Sequence, residues 1–130
     1  MNEKFPSSEK LKSKILIDRL FSEGKSLKNF PLKLIYLPLK NPQDLHFKSG
    51  VSVPKRIYKL AVDRNSIKRS MREAFRKNKY LVESNLQGKY ALMFIYTSPK
   101  KINSEQMAAC FVQIMNKLIQ RESLHENTKT

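Results

Sequence analysis

The sequence predicts an α+β fold: a single domain over residues 1–130, with a small mixed sheet packed with helices in the order α-β-β-α-β-α. Three observations predict it. A chain of 130 residues is long enough for one core and too short for two. Its apolar pattern switches between helical spacing and strand-length runs, and the first two strand runs lie side by side across a turn, which favours α+β over a parallel α/β sheet. Three glycines, six prolines and 40% hydrophobic residues exclude a low-complexity or fibrous chain. The core is expected over about residues 5–120, with frayed ends at residues 1–8 and from Arg121 through "HENTKT".

The elements follow in order. In "SKILIDRLFSE", Ile15, Leu16, Ile17, Leu20 and Phe21 share a broad helical face, with Ser13 as N-cap and Gly24 as the stop. "FPLKLIYLPLK" (30–40) is rich in strand formers, and its prolines place it at an edge or near strand ends. "LHFKSGVSVPK" (45–55) alternates at Leu45, Phe47, Val51 and Val53, a second strand. The intervening "NPQD" is a turn, so the two strands are expected to form an antiparallel hairpin. A long helix is expected from about Asp63 to Glu83, with Ile67, Met71, Ala74 and Phe75 on its inner side. "KYALMFIYT" (89–97) is apolar throughout, as a central strand covered on both faces would be. The last helix follows Ser104, its expected N-cap, through Met107, Cys110, Phe111, Ile114 and Leu118.

Charge is the dominant feature. Twenty-six Lys and Arg against 11 Asp and Glu give a net charge of +15. Self-repulsion at this level destabilises a compact state, so an anionic partner is expected, nucleic acid before an acidic membrane surface. The charge is concentrated in "AVDRNSIKRSMREAFRKNK" (61–79). At 100° per residue, Arg64, Asn65, Lys68, Arg69, Arg72 and Arg76 fall within about 140° of one another. Glu73 is the sole acid near the middle of this helix. A solvated helix face normally balances its charges at i,i+4, and here like charges stand four apart, a cost without a partner. Guanidinium forks engage two phosphate oxygens at once, and the Asn65 amide can both donate and accept toward a hydroxyl or a base edge.

Taken together, "SGVSVPKR" and "AVDRNSIKRSMREAF" resemble the protein subunit of bacterial ribonuclease P, whose helix carries the pattern R-N-R-x-K-R-x-x-R. Here the pattern reads Arg64-Asn65-Ser66-Ile67-Lys68-Arg69-Ser70-Met71-Arg72, with Ser66 replacing the family's second arginine. "KLKSKILIDRLFSEGKSL" is similar to the family's N-terminal element, and the resemblance runs from about Phe5 to Leu118. It implies a catalytic RNA partner that works with magnesium ions and removes the 5′ leader from precursor tRNA. The protein would bind that RNA and hold the leader. It implies RNA contacts at Lys55 and Arg56, which end "VSVPKR", and at Arg64, Asn65, Lys68, Arg69, Arg72 and Arg76. It further implies a leader cleft between the first helix and the sheet. Phe21 matches the cleft's second helix aromatic, and Ile17 stands where the first often is. On the strand the ungapped match falls on Ile35, and a shift of one residue would bring Tyr36 instead. The implied fold is similar to domain IV of elongation factor G, with a left-handed crossover through the basic helix, an exception to the usual rule.

The residues point to a binding role. Phosphodiester hydrolysis needs a metal cage or an acid/base pair. His46 and His125 are the only histidines, neither has a ligand-spaced neighbour, and both read as surface residues. No catalytic residue, no metal site and no cofactor held by the protein alone are therefore expected. Cys110 is the only cysteine and reads as a small buried hydrophobe. "MNEKFPSSEK" has no apolar core and the run "YALMFIY" is too short for a bilayer. The expectation is a cytoplasmic protein with no membrane contact and no obligatory protein partner. Two other readings remain. A ribosomal-type structural RNA binder fits the size and charge, but gives no reason for the Arg64–Arg72 pattern to occur with "VSVPKR". A helix-turn-helix DNA binder is weakened because strands flank the basic helix.

Overall fold

The computed structural model describes residues 14–39, 48–86 and 89–127, with backbone alone for 123–127. Its elements are α1 (Lys14–Glu23), β1 (Lys25–Asn29), β2 (Leu32–Leu39), β3 (Lys48–Ser52), α2 (Ala61–Asn78), α3 (Tyr80–Asn85), β4 (Lys89–Tyr96) and α4 (Ser104–Asn127). The fold is α+β, as expected, with a four-stranded sheet ordered β1-β2-β4-β3. Ser13, the "NPQD" turn, His46 and the side chain of His125 lie outside the described residues.

The expected hairpin is corrected. The hairpin is formed by β1 and β2, turning at the cis Phe30–Pro31 bond. β3 pairs in parallel with β4, to which it is joined through α2 and α3, and β2 and β3 are not neighbours. The order is thus α-β-β-β-α-α-β-α rather than α-β-β-α-β-α. The physical reason lies in β1. "KSLKN" buries only Leu27, because an edge strand needs few apolar side chains, so it carries little hydrophobic signal. β2 buries residues on both faces, as an interior strand does. Pro38 is tolerated there because β1 reaches only as far as Tyr36, leaving β2 a single neighbour beyond it.

Period-two alternation divides the sheet between two cores. Leu32, Leu34 and Tyr36 of β2 and Tyr90, Leu92, Phe94 and Tyr96 of β4 face the main core with α2 and α4. Phe94 packs between Phe75 and Phe111, with tilted rings whose centroids lie 5.4 and 4.6 Å away. Ile35, Ala91 and Met93 face the opposite way and meet Leu20 of α1. Continuously apolar β4 is central and covered on both faces, as expected. Where α1 ends, the Gly24 amide bonds the Leu20 carbonyl at 3.0 Å. A Cβ on Gly24 would lie 2.3 Å from that oxygen and 2.9 Å from Ile35 Cγ2. Glycine is therefore required here for close approach.

The basic helix runs from Ala61 to Asn78, followed by the short α3 after Lys79, where one helix was expected. The Asn78 side-chain amide donates to the Ala74 carbonyl at 2.9 Å, competing with the backbone ladder where α2 ends. The N-cap of α4 is Asn103 rather than Ser104. Asn103 Oδ1 accepts from the Gln106 amide at 2.8 Å, and Gln106 Oε1 accepts from the Asn103 amide at 3.1 Å, a reciprocal capping box. α4 also continues past Arg121, where fraying was expected. Glu122 is buried, accepting from the hydroxyls of Tyr36 at 3.1 Å and Tyr90 at 2.8 Å.

Candidate RNA interface

α2 buries one stripe, Ile67, Met71, Ala74 and Phe75, and most of the charge on its remaining surface is basic. Arg64 and Lys68 project within roughly 20° of Phe75 at 100° per residue, and both are half-buried. Asn65, Arg69 and Arg72 point farther out and are exposed. The seam position gives Arg64 a structural task. Its Nη1 donates to the carbonyls of Tyr58 and Lys59 at 2.8 and 2.9 Å, tying the loop before α2 to the helix. Leu60, at the N-cap position, supplies no side-chain bond.

Arg76 is also engaged. Its Nη2 and Nε donate to the Glu73 carboxylate at 2.6 and 3.2 Å, and Lys77 lies 3.6 Å from the same group. The Arg76 hydrogen bonds hold the Glu73 carboxyl below the usual carboxylate range, against a smaller opposing effect of burial. The expectation of a face without acid pairing therefore fails for Arg76. It holds for Lys68, Arg69 and Arg72, which make no hydrogen bond or ion pair among the described residues. Asp63, in the first turn, pairs with Lys101 at 2.8 Å. Ser66, where the resemblance leads one to expect arginine, lines a cavity of about 410 Å³ between α2 and α4.

The other predicted residues divide between two places. Ile17 and Phe21 stand one turn apart on the flank of α1, beside the Leu16–Leu20 line that packs on the sheet. Ile17 is half-buried and Phe21 is 54% exposed. Ile35 lies on the sheet face that α1 covers. Tyr36 does not. It points into the main core with no exposure, and burial, the largest influence on it, raises its hydroxyl pKa. Tyr36 is thus corrected from cleft to core, and of the two alternatives it is Ile35 that faces α1. Strand alternation decides this: Leu32, Leu34 and Tyr36 share one face.

Lys55 and Arg56 are exposed on the loop between β3 and α2. Arg56 faces a cavity of about 290 Å³ shared with Lys28, Phe30 and Lys33, residues that sequence reasoning missed. Their signal was the alternation in "FPLKLIY", which places Lys33 opposite the core-facing leucines. Register then carries one row across the sheet on the face of α1: Lys28, Lys33, Ile95 and Ser52.

No group of three His, Cys, Asp or Glu among the described residues is placed to hold a metal ion. Cys110 is half-buried, and burial pushes its thiol pKa up, the opposite of activation.

The model of the ribonuclease P protein family matches residues 5–119. The chain belongs to that family. A ribonuclease P protein component from Porphyromonas gingivalis is 38% identical over 80 residues, covering 62% of this chain and 58% of that relative. One from Chlorobaculum tepidum is 39% identical over 80 residues, 59% of this chain and 52% of the relative. The matches thus span little more than half the length of these relatives. In three dimensions the chain is similar to the RNase P protein of Staphylococcus aureus, with a TM-score of 0.69 at 24% identity, over 85% of this chain and 94% of the other. The Thermotoga maritima protein gives 0.66 at 21% identity, over 84% and 96%. At these identities the likeness establishes the α+β fold.

Proposed function

We propose that this chain is the protein subunit of a ribonuclease P. On this reading it binds a catalytic RNA and the 5′ leader of precursor tRNA, and supports endonucleolytic 5′ maturation of tRNA in the cytoplasm. The observation that carries the proposal is the outer face of α2. Family membership is joined there to three cations, Lys68, Arg69 and Arg72, that the described protein leaves unneutralised, with exposed Asn65 between them. These cations take RNA phosphates, and each phosphate neutralised releases counterions. Arg64 holds the loop that leads into this face, and Arg76 contributes once its partner Glu73 is outcompeted. The leader runs beside α1, where Phe21 offers an unpaired base an aromatic surface and Ile17 and Ile35 supply apolar contact.

The catalytic centre belongs to the RNA on this reading. The magnesium that the reaction uses is assigned to the RNA as well, a reading supported by the lack of any cluster of three His, Cys, Asp or Glu among the described residues. The test is to mix the purified protein with a ribonuclease P RNA and precursor tRNA at low magnesium. Cleavage faster than with RNA alone is expected. An unchanged rate overturns the proposal.

A further inference from the structure

The tip of the β1–β2 hairpin has features that neither the α2 face nor the cleft beside α1 accounts for. Phe30 is 75% exposed at the turn. It borders the 290 Å³ cavity with Lys28, Lys33 and Arg56, above a floor of Leu32 and Thr97. Among the described residues three cations line this space and no acid does. The tip is also held from several sides. The Thr97 amide and hydroxyl both donate to the Pro31 carbonyl, at 2.8 and 2.9 Å. From α4, Lys117 Nζ donates to the Lys28 carbonyl at 2.9 Å, and Asn29 donates to Gln113 Oε1 at 2.9 Å.

An aromatic ring held outward, beside cations that no described residue neutralises and next to an open cavity, is the combination that grips unpaired nucleotides. Any base can stack on the ring, and phosphates on either side of it meet lysine or arginine. An apolar protein partner would gain nothing from three converging cations. A duplex keeps its bases stacked on each other and could use only the charges. The geometry points to a nucleotide-binding subsite at the hairpin tip, in which Phe30 stacks an unpaired base of RNA and Lys28, Lys33 and Arg56 hold the flanking phosphates. The inference rests on the reading that the chain binds RNA. The row Lys28, Lys33, Ile95 and Ser52 links this subsite to the sheet face under α1. Two sources share the required chemistry: the leader of precursor tRNA, and an unpaired segment of the catalytic RNA.

The chain contains no tryptophan, so Phe30→Trp in the full chain reports on this position alone. Quenching of its emission by a single-stranded RNA decamer is expected, with affinity close to wild type and little quenching by an RNA duplex. Phe30→Ala should weaken decamer binding roughly fivefold to a hundredfold, as loss of one stacked base does. Lys28→Ala with Lys33→Ala should lower the log–log salt slope by about 0.7 per lost contact. Titrating Phe30→Trp with precursor tRNAs of increasing leader length, and separately with ribonuclease P RNA, identifies the source. Unchanged emission at saturating decamer, or wild-type affinity in Phe30→Ala, overturns the subsite while leaving the proposed function standing. A wild-type chain that does not bind the decamer overturns both the subsite and the RNA-binding reading beneath it.

Discussion

Arg64 and Arg69 stand five residues apart on one helix and do different work. Arg64 spends two hydrogen bonds on the carbonyls of Tyr58 and Lys59, whereas Arg69 is exposed and makes no bond among the described residues. Arg69→Ala should therefore lower RNA affinity and the salt slope, by about 0.7–0.9 for one phosphate, without moving the melting temperature. Arg64→Ala should lower the melting temperature as well. Equal thermal effects would refute the distinction. Glu73 yields a second prediction. Replaced by Gln, it frees Arg76 and Lys77 and adds to the positive field, so RNA binding at low salt should tighten and the salt slope should steepen. The ion pair is half-exposed, so its loss should cost no more than about 1 kcal/mol. The sign with pH follows from the direction of the shift. A carboxyl with a lowered pKa stabilises the fold at neutral pH, and that contribution is lost as pH falls through its lowered value. Wild type and Glu73→Gln should thus differ at neutral pH and converge in acid, as thermal melts across the acid range will show.

At the scale of elements, α2 is a helix with two constituencies. Met71 is fully buried at the centre of its inner stripe, so Met71→Ala should cost about 2–5 kcal/mol, measured by denaturant unfolding. A near-neutral result would mean the helix is turned and the RNA face misassigned. α4 is held differently. The Glu122 carboxylate takes the hydroxyls of Tyr36 and Tyr90 on adjacent strands, and Arg121 donates to the Ser26 carbonyl on the edge strand at 3.0 Å. Glu122→Ala strands two phenols at about 1–3 kcal/mol each. Calorimetry should show a fall in melting temperature that Tyr90→Phe introduced with it partly reverses. These contrasts also show what a sequence makes visible. The inner stripe of α2 and the central β4 follow from periodicity, and periodicity is strong where a face is buried. β1 was invisible because an edge strand with one buried leucine has no period. Tyr36 was ambiguous only until strand alternation was anchored by Leu32 and Leu34. The ion pair of Arg76 with Glu73, three residues back, was available from helical spacing. The juxtaposition of Arg56 with Lys28 and Phe30 depends on pairings distant in sequence, which no local pattern encodes.

At the scale of the molecule, the two faces of the sheet divide the labour. One face is filled by α2 and α4 and supplies most of the core. Among the described residues the other is covered by the ten residues of α1, which meet a small cluster around Leu20, Ile35, Ala91 and Met93. A helix that short cannot by itself cover four strands, and the row through Lys33, Ile95 and Ser52 continues across the same sheet face, with Ile95 packed against that cluster. Phe21 sits on the flank of α1 and keeps more than half its surface in solvent, an expense a core residue does not carry. If the leader lies along this face, Phe21 stacks one of its unpaired bases, worth about 1–3 kcal/mol. Phe21→Ala should then weaken binding of leader-bearing tRNA to the assembled holoenzyme by roughly fivefold to a hundredfold. Mature tRNA lacks the segment that would reach Phe21, so its binding should stay near wild type. The melting temperature should hardly change, because little buried surface is lost. A loss shared equally by both tRNAs, or one that follows a drop in melting temperature, would return Phe21 to a packing role and leave the leader to Arg64, Asn65 and the sheet.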